Sequence, residues 1–498
     1  MAIRLALGLA LLVGSLGRLA AAPDPALEQQ LRAWLSGLTG VAVPELPLRI
    51  TPEGDHNRGV LPLAGAGEAG SISATLRPLD GGRWAVEDFA LPPTSRFAVR
   101  VPAPDDPTKT MPAEATLSLA GQDGRMLIDP SLASPSSFEA RLRGVVLDVA
   151  GGGQRQHQQM DRYETHGTAT PAAGGRLDFV QDATIEGWRI AAEPASGEAF
   201  ALQARTLRAN GRLDGLNPDR MAPLVRAIVA LTVAQQGDES ATRAALHRLV
   251  EALRDSVRSG RIEESFDQLR IAMAGQDATV GTLRIAFAAD APDGRLAGSI
   301  ALELAGLEIP SLPPAFAAWV PRRIVWHPTL SGVGVAELTG LALAATATPP
   351  DEQARDAALA ALFSGPGITL GVDPLTIELA AARLDASASV QVHGPDRYAG
   401  RAKLVLTGFD ALMAQARDDP NLRDAAPILI LARGLARPEG DHLVWDVVAD
   451  ESGATVNGVD ISSLTGGQAP SDAPHKRPSP QSHKRPLQPS LPQPSLKE

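Results

Sequence analysis

The most constraining feature of this chain is a pair of stretches in which apolar and polar side chains alternate, Asp267–Glu308 and Asp373–Asp410. Alternation at period two puts one set of side chains on each side of an extended strand, and a helix cannot satisfy it. The first stretch opens Asp267-Gln-Leu-Arg-Ile-Ala-Met273, turns at Pro292-Asp-Gly294 and returns through Arg295 to Glu308. The second opens Asp373-Pro-Leu-Thr-Ile-Glu-Leu379, turns at Pro395-Asp-Arg397 and returns from Tyr398 to Asp410. Both place Pro-Asp at the turn, a Gly early in the return strand, and a Gly-apolar-acid triplet at its end. Recurrence at a spacing of about a hundred residues predicts a duplicated supersecondary unit.

At 498 residues the chain exceeds what one hydrophobic core usually supports, so several modules or one elongated layered body are expected. With 44% hydrophobic but only 4% aromatic residues, the interior must be built from Ala, Leu, Val and Ile. There is no Cys, which removes disulfides, thiol nucleophiles and Cys-based zinc sites. The net charge of −11 argues against a nucleic-acid partner, which needs a basic footprint. Residues 1–22 read as an export signal. Arg4 supplies the positive end, Leu5–Gly17 the apolar run, and Ala20-Ala-Ala22 the small residues for cleavage. That run is short for a bilayer, and Pro23 follows directly, so the segment is either removed or kept as an anchor. The expected compartment is the periplasm.

Punctuation divides the chain into five segments. They are the signal (1–22), a β-rich module with a leading helix (23–216), a helical hairpin plus the first repeat (217–349), the second repeat (350–465) and a tail (466–498). The leading helix is expected over Asp24–Gly40. Hairpins are expected at Ser71–Phe89 around Asp80-Gly81-Gly82, at Thr116–Ile128 around Gln122-Asp123-Gly124, and at Leu202–Leu213 around Asn210-Gly211. Leu91–Pro112 reads as a Pro-rich loop. Helices are predicted within Asn217–Gly260, over Asp351–Phe363, and over Ala411–Asp418 and Leu422–Leu435. Leu330–Thr346 reads as strand-rich. The tail, with His475-Lys-Arg-Pro478 repeated as His483-Lys-Arg-Pro486, is expected to be disordered, and its cationic character suits contact with an anionic surface.

Few motifs carry chemistry. Gly65-Ala-Gly-Glu-Ala-Gly70 matches a dinucleotide-binding pattern, but a strand-like segment follows it where that motif needs a helix, so it reads as a loop. His157, Asp161 and His166 form the nearest metal-like grouping, and a solvated strand face is the expected reading. No G-x-S-x-G occurs, and the acidic doublets read as solvated charge. No cofactor, metal or catalytic residue is therefore expected.

The stretch 351–461 carries a helix ending in Leu362-Phe-Ser-Gly-Pro366, then paired strands, Trp445 in a late strand, and Val456-Asn457-Gly458. In these features it resembles uncharacterised proteobacterial envelope protein families, and more distantly AsmA-type lipid-handling proteins. The resemblance implies an envelope location and supplies no functional residues.

The expected fold class is α+β and β-rich, with twisted antiparallel sheets built from duplicated hairpin units and helical segments packed against them. The leading functional expectation is non-catalytic binding of a hydrophobic, lipid-like envelope component on an apolar sheet face. If the two copies share a sheet, Ile285, Phe287, Ile300, Leu302, Val390, Val392, Leu404 and Leu406 line that face. Docking of a protein partner by a structural or assembly factor is the alternative, and a carboxylate-dependent hydrolase the third.

Overall fold

The computed structural model describes residues 49–62, 71–103, 106–129, 132, 135–193, 198–234, 239–254, 256–273, 275–291, 294–347, 351–363, 365, 367–394, 397–418 and 426–461. The segments expected to form an export signal (1–22), a leading helix (24–40), a loop (65–70) and a basic tail (466–498) lie outside these residues, as do the Pro-Asp pairs at 292–293 and 395–396.

Among the described residues the strands form one hydrogen-bonded antiparallel sheet. Its early part comprises β1 (Arg49–Glu53), β2 (His56–Pro62), β3 (Ser71–Pro78), β4 (Trp84–Ala90), β5 (Thr94–Ala103), β6 (Asp106–Ser118) and β7 (Gly121–Ile128). Then come the long strands β8 (Ser137–Gly151), β9 (Gln154–Ala172), β10 (Arg176–Glu193) and β11 (Phe200–Leu216). They continue as β12 (Ser259–Met273), β13 (Gln276–Asp290), β14 (Arg295–Glu308) and β15 (Arg323–Gly334). Last are β16 (Ile368–Glu378), β17 (Arg383–Gly394), β18 (Arg397–Thr407), β19 (Arg437–Glu439), β20 (His442–Asp450), β21 (Gly453–Val456) and β22 (Val459–Asp460). From β8 to β18 every strand pairs with its sequence neighbours, and β20 then adds to β18. The first alternating stretch runs from within β12 through β14, and the second from within β16 through β18, so β15 joins the two in one sheet.

Among the described residues the α-helices are α1 (Pro218–Ala234), α2 (Glu239–Leu253), α3 (Pro314–Ala317), α4 (Val335–Thr346), α5 (Glu352–Leu362), α6 (Phe409–Asp418) and α7 (Ala426–Leu435). Two helical pairs are inserted between paired strands, α1–α2 between β11 and β12 and α4–α5 between β15 and β16. The ladder closes behind each, at Asp214 with Ser259 and at Ser331 with Thr369. These four helices make their extensive contacts with one another, and α4 also touches β15, the strand it continues. His247 Nδ1 lies 3.1 Å from Thr346 Oγ1 across the α2–α4 contact. The Asp351 carboxylate caps α5 by accepting from the Ala354 amide at 2.8 Å.

Several local expectations change. Leu91–Pro112 is largely the β5–β6 pair rather than a loop. β5 is an edge strand bonded only to β6, and an edge tolerates the missing N–H of Pro102. Gln122-Asp123-Gly124 lies inside β7, and β6 and β7 follow each other along one side of β8 instead of forming a hairpin. Asn210-Gly211 is mid-strand in β11, held extended by Asp182-Gln181 on one side and Glu263-Ile262 on the other. Pairing on both edges outweighs its turn preference. Val335–Thr346 is helical, because a run rich in Ala and Leu without alternation favours a helix.

One irregularity crosses the sheet. Residues sharing a face normally lie two apart, yet Leu142 and Val145, Ile185 and Trp188, and Phe266 and Leu269 lie three apart in the same buried cluster. The same step separates Met160 from Tyr163, Ala204 from Leu207, Val280 from Leu283 and Leu304 from Leu307. Each strand from β8 to β14 thus carries one extra residue at the same level, and the register on both sides of it is unshifted. Alternate strands absorb the extra residue with a left-handed backbone, at Gly144 (φ 55°), Gly187 (φ 61°), Gln268 (φ 51°) and Gly306 (φ 67°). A Cβ at Gly306 would lie 3.3 Å from the Gly281 backbone nitrogen. The Gly306→Ala variant is therefore expected to lose about 1–2 kcal/mol of stability, the cost of a left-handed L-residue, in urea unfolding.

Candidate functional site: an apolar sheet face

Strand alternation and register together decide what each face presents. Direct pairing links Ile285, Leu302, Trp326, Leu375, Ala386 and Leu404 in one row across six strands. Two residues along, a second row runs Leu283, Leu304, Ile324, Ile377, Leu384 and Leu406. Both rows are wholly apolar and lie on the same face. The opposite face carries ion pairs, among them Arg284 with Glu263 at 2.6 Å, Arg323 with Glu303 at 2.7 Å and Arg383 with Asp385 at 2.7 Å. Such exposed pairs add little stability each, but they keep that face in water and so assign the other to apolar contact.

The face differs in exposure from place to place. Around the buried cluster of β8–β13 it is closed, with Leu142 2%, Trp188 7%, Phe266 8% and Leu269 5% exposed. The Trp188 and Phe266 rings, two strands apart, approach to 6.2 Å between centroids. Toward β13–β18 it is open: Phe287 is 49% exposed, Ile300 38%, Trp326 41% and Leu370 49%.

All eight residues anticipated from the sequence lie on this face. Ile285 pairs with Leu302, and Phe287 with Ile300. On β17 and β18, Val390 and Val392 share the parity of Leu404 and Leu406 through the pairs Val390–Gly400 and Val392–Tyr398. Phe287 and Ile300 are exposed and the other six are half-buried. Sequence reasoning missed Ile324 and Trp326 of β15 and Leu375 and Ile377 of β16, which bridge the two quartets. The alternation in Arg323-Ile-Val-Trp-His327 was the signal that could have found them.

At the β20 edge the face meets α7. Trp445, paired with Leu404, donates its indole N–H to the Ala432 carbonyl at 2.8 Å. Asn457, left-handed at φ 50°, donates to the Leu435 carbonyl at 2.8 Å and to the Val444 carbonyl at 2.9 Å, fixing the end of the same helix. α6 buries Phe409, Leu412, Met413 and Ala416, a single helical face.

The other candidate groupings do not assemble. His157 pairs with Asp148 at 2.7 Å, and Asp161 with Arg189 at 3.3 Å, at separate levels of β9. Among the described residues no group of His, Asp and Glu has metal-binding proximity. Among the described residues the carboxylates with a shifted pKa are lowered, as by the Arg125 hydrogen bond on Glu139 and the Arg383 hydrogen bond on Asp385. No described helix is long and apolar enough to cross a membrane. No protein-family model, curated relative or solved structure matches the chain.

Two measurements follow. Trp445→Phe keeps the ring but removes the donor, so α7 is expected to exchange its amides faster, with a loss of about 0.5–1.5 kcal/mol. Glu139 and Asp385 have folded-state pKa values below their unfolded ones. Their contribution is therefore present above the ordinary carboxylate range and lost as pH falls through the lowered values. The urea midpoint is expected to hold from neutrality to about pH 5 and to drop below about pH 4, less steeply in Asp385→Asn.

Proposed function

We propose that this protein binds a hydrophobic, lipid-like component of the cell envelope without catalysis, on the open part of the apolar sheet face. The observation that carries the reading is the unbroken pair of apolar rows from β13 to β18, with Phe287, Ile300, Trp326 and Leu370 left substantially exposed. Large contiguous apolar surface on a folded chain is costly to leave in water, at roughly 25 cal/mol per Å², and commonly marks a binding surface. An acyl chain matches this chemistry, because the face offers many dispersion contacts and few hydrogen-bonding groups. The apparent export signal at residues 1–22 and the resemblance of 351–461 to envelope proteins support a periplasmic setting. We also take Asp267–Glu308 and Asp373–Asp410 as copies of one unit, whose duplication would lengthen such a face.

Docking of a protein partner on the same face is the second reading, favoured by its breadth, and crosslinking from the turns after β13 and β17 would separate the two. A carboxylate-dependent hydrolase is the third reading; Glu139 and Asp385 do not favour it, because their arginine hydrogen bonds lower their pKa values. The test is binding of a fluorescent fatty-acid probe, with mass spectrometry of lipid retained after native purification. Phe287→Glu combined with Ile300→Glu is expected to weaken the probe at least tenfold while leaving the circular dichroism unchanged. Absence of both probe binding and retained lipid would overturn the reading.

A further inference from the structure

The level at which every strand from β8 to β14 carries an extra residue has a second consequence, on the charged face. There the extra residues and their neighbours border a groove of about 960 Å³ running across the strands from β9 to β14. Its upper side carries Glu186 and Thr206, which are direct register partners. Its lower side is an unbroken ladder of partners, Arg189, Gln203, Arg270, Thr279 and Glu308. Between the two sides lie Asp161, Gly187, Arg205, Gln268, Gly281 and Gly306, at a level where the strand register is interrupted.

Two observations mark this groove as more than a by-product of the irregularity. At the left-handed position, β8, β10 and β14 use glycine, the residue that adopts φ > 0 without strain. β12 instead keeps Gln268 there, at φ 51°, and its side chain stands in the groove. A strained backbone retained for the sake of a side chain is a pointer to function. In addition, among the described residues the side chains of Gln203, Arg205 and Gln268 are exposed and have no hydrogen-bond or ion-pair partner in the protein, so they are open to a ligand arriving from solvent. An amide can donate and accept, and a guanidinium presents several donors in a fork.

The chemistry narrows the ligand class. Asp161, Glu186 and Glu308 balance Arg189, Arg205 and Arg270, so the groove has no net charge to select a polyanion or polycation. It runs across paired strands and not along a free strand edge, so an extended peptide cannot add to the sheet there. Its lining combines hydroxyl, amide, carboxylate and guanidinium groups on strands about 4.8 Å apart with the apolar Trp188, Ala204, Leu269 and Val280. A linear sugar chain presents alternating donors and acceptors at a similar repeat. We infer that this transverse groove binds a neutral linear oligosaccharide, with Gln203, Arg205 and Gln268 as its hydrogen-bonding contacts. The site lies on the face opposite the apolar rows and stands independently of the lipid reading.

The test uses the full chain and three neutral pentasaccharides as probes, a β-1,4-glucan, an α-1,4-glucan and a β-1,4-linked N-acetylglucosamine oligomer, in titration calorimetry. At least one is expected to bind. Gln268→Gly is the informative variant, because it relieves the left-handed strain and should raise the thermal midpoint while weakening the sugar at least tenfold. Arg205→Ala is expected to weaken it similarly with the midpoint unchanged. Failure of all three probes at millimolar concentration, or binding by both variants as tight as by the unaltered chain, would overturn the inference. Phe287→Glu with Ile300→Glu should leave sugar binding untouched, and a parallel loss there would also count against a separate site.

Discussion

Side chains alternate along a strand, so a broad sheet presents one chemistry per face only if every neighbouring pair keeps the same register parity. In this protein that condition holds from Ile285 across to Leu404, through five consecutive pairings. A slip of one residue at any of them would turn a strand over and set Arg284 or Glu303 among the apolar rows. Short connections between sequence neighbours make the correct register the cheapest to reach, since little loop entropy is lost at each step. Where connections are long, as at α1–α2 and α4–α5, the inserted helices contact each other and the ladder resumes directly behind them.

The same condition explains why the extra residue recurs at one level in every strand from β8 to β14. An insertion in one strand alone would reverse the faces beyond it. Shared by all, it preserves them, so that Leu142 and Val145, or Phe266 and Leu269, enter one core on either side of the break. Two adjacent residues then point away from that core in each strand, and their side chains and bare backbone outline the transverse groove. Packing on one face thereby dictates a cavity on the other. The left-handed residues at Gly144, Gly187, Gln268 and Gly306 are the local means by which the backbone accommodates it.

The β-rich fold was legible because period-two patterning is local: Leu283-Arg-Ile-Ala-Phe287 shows its two faces without any partner. Helices with a cap and an apolar stripe, such as α5 behind Asp351, were legible for the same reason. Errors arose where a local preference met non-local pairing. Asn210-Gly211 prefers a turn but is held extended between two strands, and Gln122-Asp123-Gly124 is likewise absorbed into β7. The eight apolar residues proposed for the face were recoverable because parity within each hairpin is countable. The residues that connect them on β15 and β16 depended on knowing which hairpins are neighbours.

The sequence by itself determined that long strands would dominate and which side chains on each would be apolar, because alternation is a property of the strand alone. It also fixed the absence of thiol chemistry and the acidic balance of the chain. Only the tertiary structure decided that the two alternating stretches lie in one sheet, that their apolar face is buried around Trp188 and Phe266 and open around Phe287 and Trp326, and that a groove crosses its back. Those outcomes depend on register between strands remote in sequence, and register is set by pairing, which no single segment encodes.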